Sequence, residues 1–106
     1  MSFVLEASVT LSWFFEDETS EYARLARESL KQTDAWVPGL WAVEIANGLI
    51  VAERRQRVTR ETVERASEIL GRLPIHIDNT VVSVSELAPI CRSHTLSAYD
   101  AVYLAL

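Results

Sequence analysis

Three carboxylates stand in company that a solvated acid does not usually keep. Glu6 is the only charge between Phe3 and Phe15, and Asp100 is the only charge from Leu96 to Leu106. Glu44 shares its helical angle with Leu40, Trp41, Gly48 and Val51 when the segment is wound at about 100° per residue, so it belongs to an apolar stripe. The other acids, such as Glu16-Asp17-Glu18 and the pair Glu61 and Glu64, lie in mixed polar runs and read as solvated helix faces. An uncompensated carboxylate in apolar surroundings is costly or takes up a proton, and gathering three adds mutual repulsion. No lysine or arginine lies inside these three segments, so the expected counter-charge is a hard divalent cation, Mg²⁺ or Mn²⁺, held by carboxylates and water. Such an ion orients and activates water and stabilises charge at a phosphodiester. Asp100 has a competing reading, because Ser97-Ala98-Tyr99-Asp100 is an S-x-x-D sequence whose carboxylate can complete a capping box in a first helical turn.

The elements that must position these acids follow from periodicity and punctuation. Phe3-Val4-Leu5 is a short apolar run suited to a buried parallel strand, and it leaves Glu6 at the carboxyl end, where open α/β sheets bind ligands. Ala7 to Phe15 predicts a helix crowded with Val9, Leu11, Trp13, Phe14 and Phe15, and a second helix is expected from about Ser20 to Lys31 with Ser20 as its cap. Trp36-Val37 predicts a second strand, and Pro38-Gly39 opens a helix to about Arg54. Thr59 caps a further helix to about Leu70, closed by Gly71-Arg72-Leu73-Pro74, and Ile75-His76-Ile77 alternates as a third strand. From Asn79 to Ser93 the residues Val81, Val82, Val84, Leu87 and Ile90 are helically spaced, yet Pro89 falls among them and predicts a kink or two short pieces. Ser97 begins the last helix, which runs into Val102, Tyr103, Leu104 and Leu106. Strand, helices, strand, helices, strand, helices is the order of an α/β fold with a parallel sheet.

At 106 residues and 49% hydrophobic content the chain has material for one core, so a single domain over residues 1–106 is expected. A net charge of −5 offers no basic field to attract nucleic acid and counts against a binder that works by phosphate neutralisation alone. A lone cysteine, Cys91, has no internal disulfide partner, and neither a basic leader before a long apolar run nor a segment of membrane-spanning length is present. A cytoplasmic protein with no membrane partner is expected.

At the residues carrying these acids the sequence resembles the PIN domain, and in particular the VapC-type ribonuclease toxins of toxin–antitoxin operons. The matching stretches are Val4-Leu5-Glu6-Ala7-Ser8-Val9, Trp13 to Glu18, Val37 to Asn47, and Leu96-Ser97-Ala98-Tyr99-Asp100-Ala101. Each is short, but the four occur in order from end to end of the chain. The resemblance implies a Mg²⁺- or Mn²⁺-dependent endoribonuclease, a homodimer, an RNA substrate and inhibition by a cognate VapB-like antitoxin. It also implies a three-layer fold with a central parallel sheet ordered 3-2-1-4-5. Glu6, Glu44 and Asp100 match the family's first three acids, Ser8 and Ser97 match small hydroxyl residues beside the site, and Asn47, one turn after Glu44, is placed to hydrogen-bond it.

The chain departs from that pattern in two ways. The family's first acid is aspartate where this chain has Glu6, whose extra methylene shifts the carboxylate and disturbs octahedral Mg²⁺ ligation, favouring the less demanding Mn²⁺. Strands 4 and 5 and a fourth acid have no counterpart before Leu106, so a C-terminally incomplete PIN-like domain is expected, with its first strand as an open edge. These departures support an alternative: a catalytically impaired toxin remnant acting as an antitoxin-binding or dimerising module. A further alternative is an α/β scaffold whose three acids are protonated or capped. His76, His94 and Cys91 are assigned no role. Arg54, Arg55, Arg57 and Arg60 read as a solvated helix end, and Trp13, Phe14, Phe15, Trp36 and Trp41 as core or dimer interface.

Overall fold

The first apolar run enters a parallel sheet as its edge. Strand β1 (Ser2–Val4) pairs with β2 (Asp34–Pro38), which pairs on its other side with β3 (Ile75–Asp78), both pairs parallel. Phe3 faces Ala35, and Ala35 faces Ile75, so the central strand supplies the fully buried Ala35 and Val37. The computed structural model describes residues 2–18, 20–80 and 82–106. The expected fold class, a three-stranded parallel sheet with β2 in the middle and helices flanking it, is observed. Among the described residues no helix is long and apolar enough to cross a membrane.

Helix α1 (Ala7–Ser12) follows β1, a 3₁₀ turn (Glu16–Glu18) follows it, and α2 (Glu21–Ser29) precedes β2. The helix expected to run to Phe15 stops at Ser12. There Trp13 and Phe14 bond back three residues, to Thr10 and Leu11, and the tightened chain turns Phe15 into the core. Helix α3 (Leu40–Arg54) connects to α4 (Arg60–Arg72) through Arg57, whose guanidinium pairs with Asp17 at 3.0 Å and lies over the Phe15 ring. That arginine therefore ties the 3₁₀ turn to the α3–α4 junction, while it and Arg54, Arg55 and Arg60 are all exposed, as expected for a solvated basic cluster.

The caps at Ser20 and Thr59 form as expected, each side chain accepting from a backbone N–H three residues on. Helix α4 continues through Gly71, beyond the expected stop. After β3 come α5 (Val84–His94) and α6 (Ala98–Leu104). Pro89 neither splits nor ends α5. It deletes one backbone bond, at the turn that begins with the exposed Ser85, and a full capping box of Ser83 and Glu86 anchors the start. Val81, part of the helical pattern expected here, lies outside the described residues.

The core is built where α1 and α3 pack on the sheet: Leu5, Phe15, Trp41, Ile45 and Leu49 join Ala35 and Val37 in one cluster. Gly48 permits the closest approach, since a Cβ there would sit 2.6 Å from Leu11 Cδ1. Trp36 departs from the core assignment. It is 40% exposed on the opposite sheet face, tilted against His76, whose Nε2 lies 2.7 Å from Asp34 Oδ2.

Candidate functional site

Glu6 occupies the junction between β1 and α1. The Leu5 N–H still bonds the Trp36 carbonyl, and Glu6 then serves as the N-cap of α1 in extended conformation, without its side chain capping the helix. Its carboxylate is thus left for other work. The Glu6 carbonyl is held from below by Thr10, fully buried, whose hydroxyl donates to it at 3.1 Å and accepts from the Trp41 indole N–H at 3.3 Å. That chain of bonds ties the Glu6 backbone to the first turn of α3, one turn before Glu44.

Glu44 is half-buried on α3, beside the buried stripe of Trp41, Ile45 and Leu49. Its Oε1 accepts a 2.7 Å hydrogen bond from the Tyr103 hydroxyl on α6. Burial, then the hydrogen bond to Glu44, then the negative charges of Glu44 and Glu6 push the Tyr103 phenol far above its ordinary value, while the nearby Ala7 amide pulls the other way. Asp100 lies in the first turn of α6, one turn before Tyr103, so both project from one helix face. Ser97 caps this helix by accepting from the Asp100 N–H, and its hydroxyl in turn lies 3.2 Å from Asp100 Oδ2. The return bond of the expected capping box therefore goes to a side-chain hydroxyl instead of the N-cap amide.

These elements border an open-sided cavity of about 620 Å³ lined by Glu6, Ser8, Glu44, Asp100 and Tyr103, with Val4, Leu96, Leu104 and Leu106 supplying apolar walls. Three carboxylates from three separate elements share this space, and no lysine, arginine, histidine or cysteine is among the described residues that line it. A cleft walled by one sign of charge on apolar surfaces concentrates counter-ions. Its oxygen donors are those a hard cation takes. The side chains are not drawn together around a point, however: among the described residues no three His, Cys, Asp or Glu groups could hold a metal ion as they stand. Glu44 is bonded to Tyr103 and Asp100 to Ser97.

No protein-family model and no curated protein sequence matches this chain.

Two expectations about the site need correction. The acids are not desolvated: Glu6 and Asp100 are exposed and only Glu44 is half-buried. A strand end and a first helical turn both point side chains out of the core, and among the described residues no layer closes over them. Asn47 is exposed and makes no hydrogen bond to Glu44, and Tyr103 takes that role from a different helix. Ser8 lines the cavity, whereas Ser97 stands behind Asp100 without lining it. Sequence reasoning passed over Thr10 and Tyr103. A hydroxyl three residues after Asp100, on a helix otherwise apolar, was the available signal for Tyr103.

Proposed function

We propose that this chain is a PIN-like, VapC-type endoribonuclease that hydrolyses RNA phosphodiester bonds in the cytoplasm with Mg²⁺ or Mn²⁺ and is neutralised by a VapB-like antitoxin. The observation that carries this reading is the shared cavity of Glu6, Glu44 and Asp100, which has no basic side chain among its described lining. Glu6, Glu44 and Asp100 would hold the cation, with Ser8 at the rim. When bound, the cation supplies the positive charge that the acidic chain lacks and polarises the scissile phosphate. A homodimer is in keeping with the exposed apolar side chains of α5 and α6, Val84 and Tyr99 among them. The test is RNA cleavage with each metal by the wild type, Glu44→Gln and Asp100→Asn. Loss of cleavage in both variants is expected, and equal activity in all three proteins ends the proposal.

A second reading has a specific observation behind it. The ungathered carboxylates, together with a glutamate in place of the first aspartate, fit an impaired toxin that retains only an antitoxin-binding or dimerising surface. Thermal unfolding with and without Mn²⁺ separates the two. Stabilisation that disappears in Glu44→Gln belongs to the nuclease reading, and its absence in the wild type belongs to the interaction module.

A further inference from the structure

The shortest hydrogen bond among the described cavity-lining side chains involves a residue that the proposed chemistry does not use. Tyr103 is packed against the core cluster by its ring and delivers its hydroxyl to Glu44 Oε1 at 2.7 Å, across 59 positions of sequence. A phenol has one proton to donate, and here it goes to one carboxylate oxygen, while Glu44 Oε2 has no hydrogen-bond partner among the described residues. Because Tyr103 follows Asp100 by one helical turn, the same bond fixes the face of α6 that presents Asp100 relative to α3.

We infer that Tyr103 is the positioning residue of this site: its hydroxyl holds Glu44 by Oε1, keeps Oε2 available to a cation, and sets the spacing between Glu44 and Asp100. The inference rests on the reading of Glu44 as a metal ligand. The choice of residue has a physical reason. A lysine or arginine in this place would orient the carboxylate but cancel its charge and compete with the cation, whereas a neutral phenol orients it and leaves the charge in place. Partners of this kind, which touch a ligand without touching the metal, change affinity when removed because the ligand must then be immobilised by the ion itself. Tyr103→Phe keeps the ring that packs against the core and removes only the hydroxyl.

The test is calorimetric titration of Mn²⁺ alone, without RNA, into the full chain as wild type, Tyr103→Phe, Glu44→Gln and the double variant. Tyr103→Phe is expected to weaken Mn²⁺ binding by about ten- to a hundred-fold and to add no further loss in the Glu44→Gln background. Equal affinity of the wild type and Tyr103→Phe, or the same loss in both backgrounds, overturns the inference. If the wild type itself takes up no Mn²⁺, the nuclease reading fails, and metal-free denaturant unfolding of the same four proteins decides the role of Tyr103. Non-additive midpoints then support its hold on Glu44, and additive midpoints overturn it.

Discussion

Replacing Gly48 by alanine sets two opposed effects of similar size against each other at the packing that walls the cavity. In the interior of an exposed helix the change should stabilise by about 1 kcal/mol, because alanine loses less backbone entropy on folding. Here the added Cβ lands 2.6 Å from Leu11 Cδ1, 2.9 Å from Cδ2 and 3.4 Å from Cγ. Rotation of the terminal methyls exchanges one clash for the other, so Leu11 must leave its rotamer or α1 must move off α3, an overpacking that costs about 1–3 kcal/mol. Overpacking wins, and Gly48→Ala is expected to destabilise by about 1 kcal/mol net, a fall of roughly 4 °C or more in Tm. In a Leu11→Ala background the obstacle is gone and the sign reverses: the same substitution then stabilises by up to about 1 kcal/mol. Urea unfolding of the four proteins measures both steps. Stabilisation by Gly48→Ala in the wild type, or destabilisation in Leu11→Ala, would show that the Leu11–Gly48 contact does not set the spacing of α1 and α3. That spacing matters to the site because Glu6 is the N-cap of α1 and Gly48 lies one turn from Glu44.

Thr10→Val keeps the shape of a fully buried side chain while stranding the Trp41 indole N–H, so a loss of about 1–3 kcal/mol is expected, and unchanged stability would refute the tether between α1 and α3. Tyr103 keeps its proton when folded in a pH range where the unfolded chain, with an ordinary value of 10.0, gives it up. Its contribution is therefore complete below pH 10 and shrinks above it, so the stability advantage of the wild type over Tyr103→Phe should narrow as pH rises past 10, and an advantage that widened would contradict the assignment. Glu6→Asp, which shortens the first acid by one methylene, is expected to raise Mg²⁺-supported RNA cleavage relative to Mn²⁺-supported cleavage. Equal losses with both metals would mean that Glu6 is not a ligand whose reach limits Mg²⁺.

Much of the fold was legible because its signals are local. Ser20, Thr59 and Ser97 each cap a helix through a bond to an amide three residues away, and such a bond is written in a few adjacent side chains. The strands at Phe3, Trp36 and Ile75 were marked by short apolar or alternating runs between helical stretches. Pro89 does not divide α5 into two pieces because the loss of one hydrogen bond is local, while the capping box at Ser83 and the packing of α5 on α6 that offset it are not all visible at that position.

The amino-acid sequence by itself determined the α/β class, the order of strands and helices, and the three acids in apolar segments, because side-chain type and spacing control helix caps, strand periods and helix faces. Tertiary structure decided how wet those acids are and what they bond to. Exposure depends on whether another layer covers a side chain, and Glu6 and Asp100 project, exposed, from element ends that no other described element covers. The partner of Glu44 is not its helical neighbour Asn47 but a tyrosine 59 positions away, brought there only when α6 docks against α3 and the sheet.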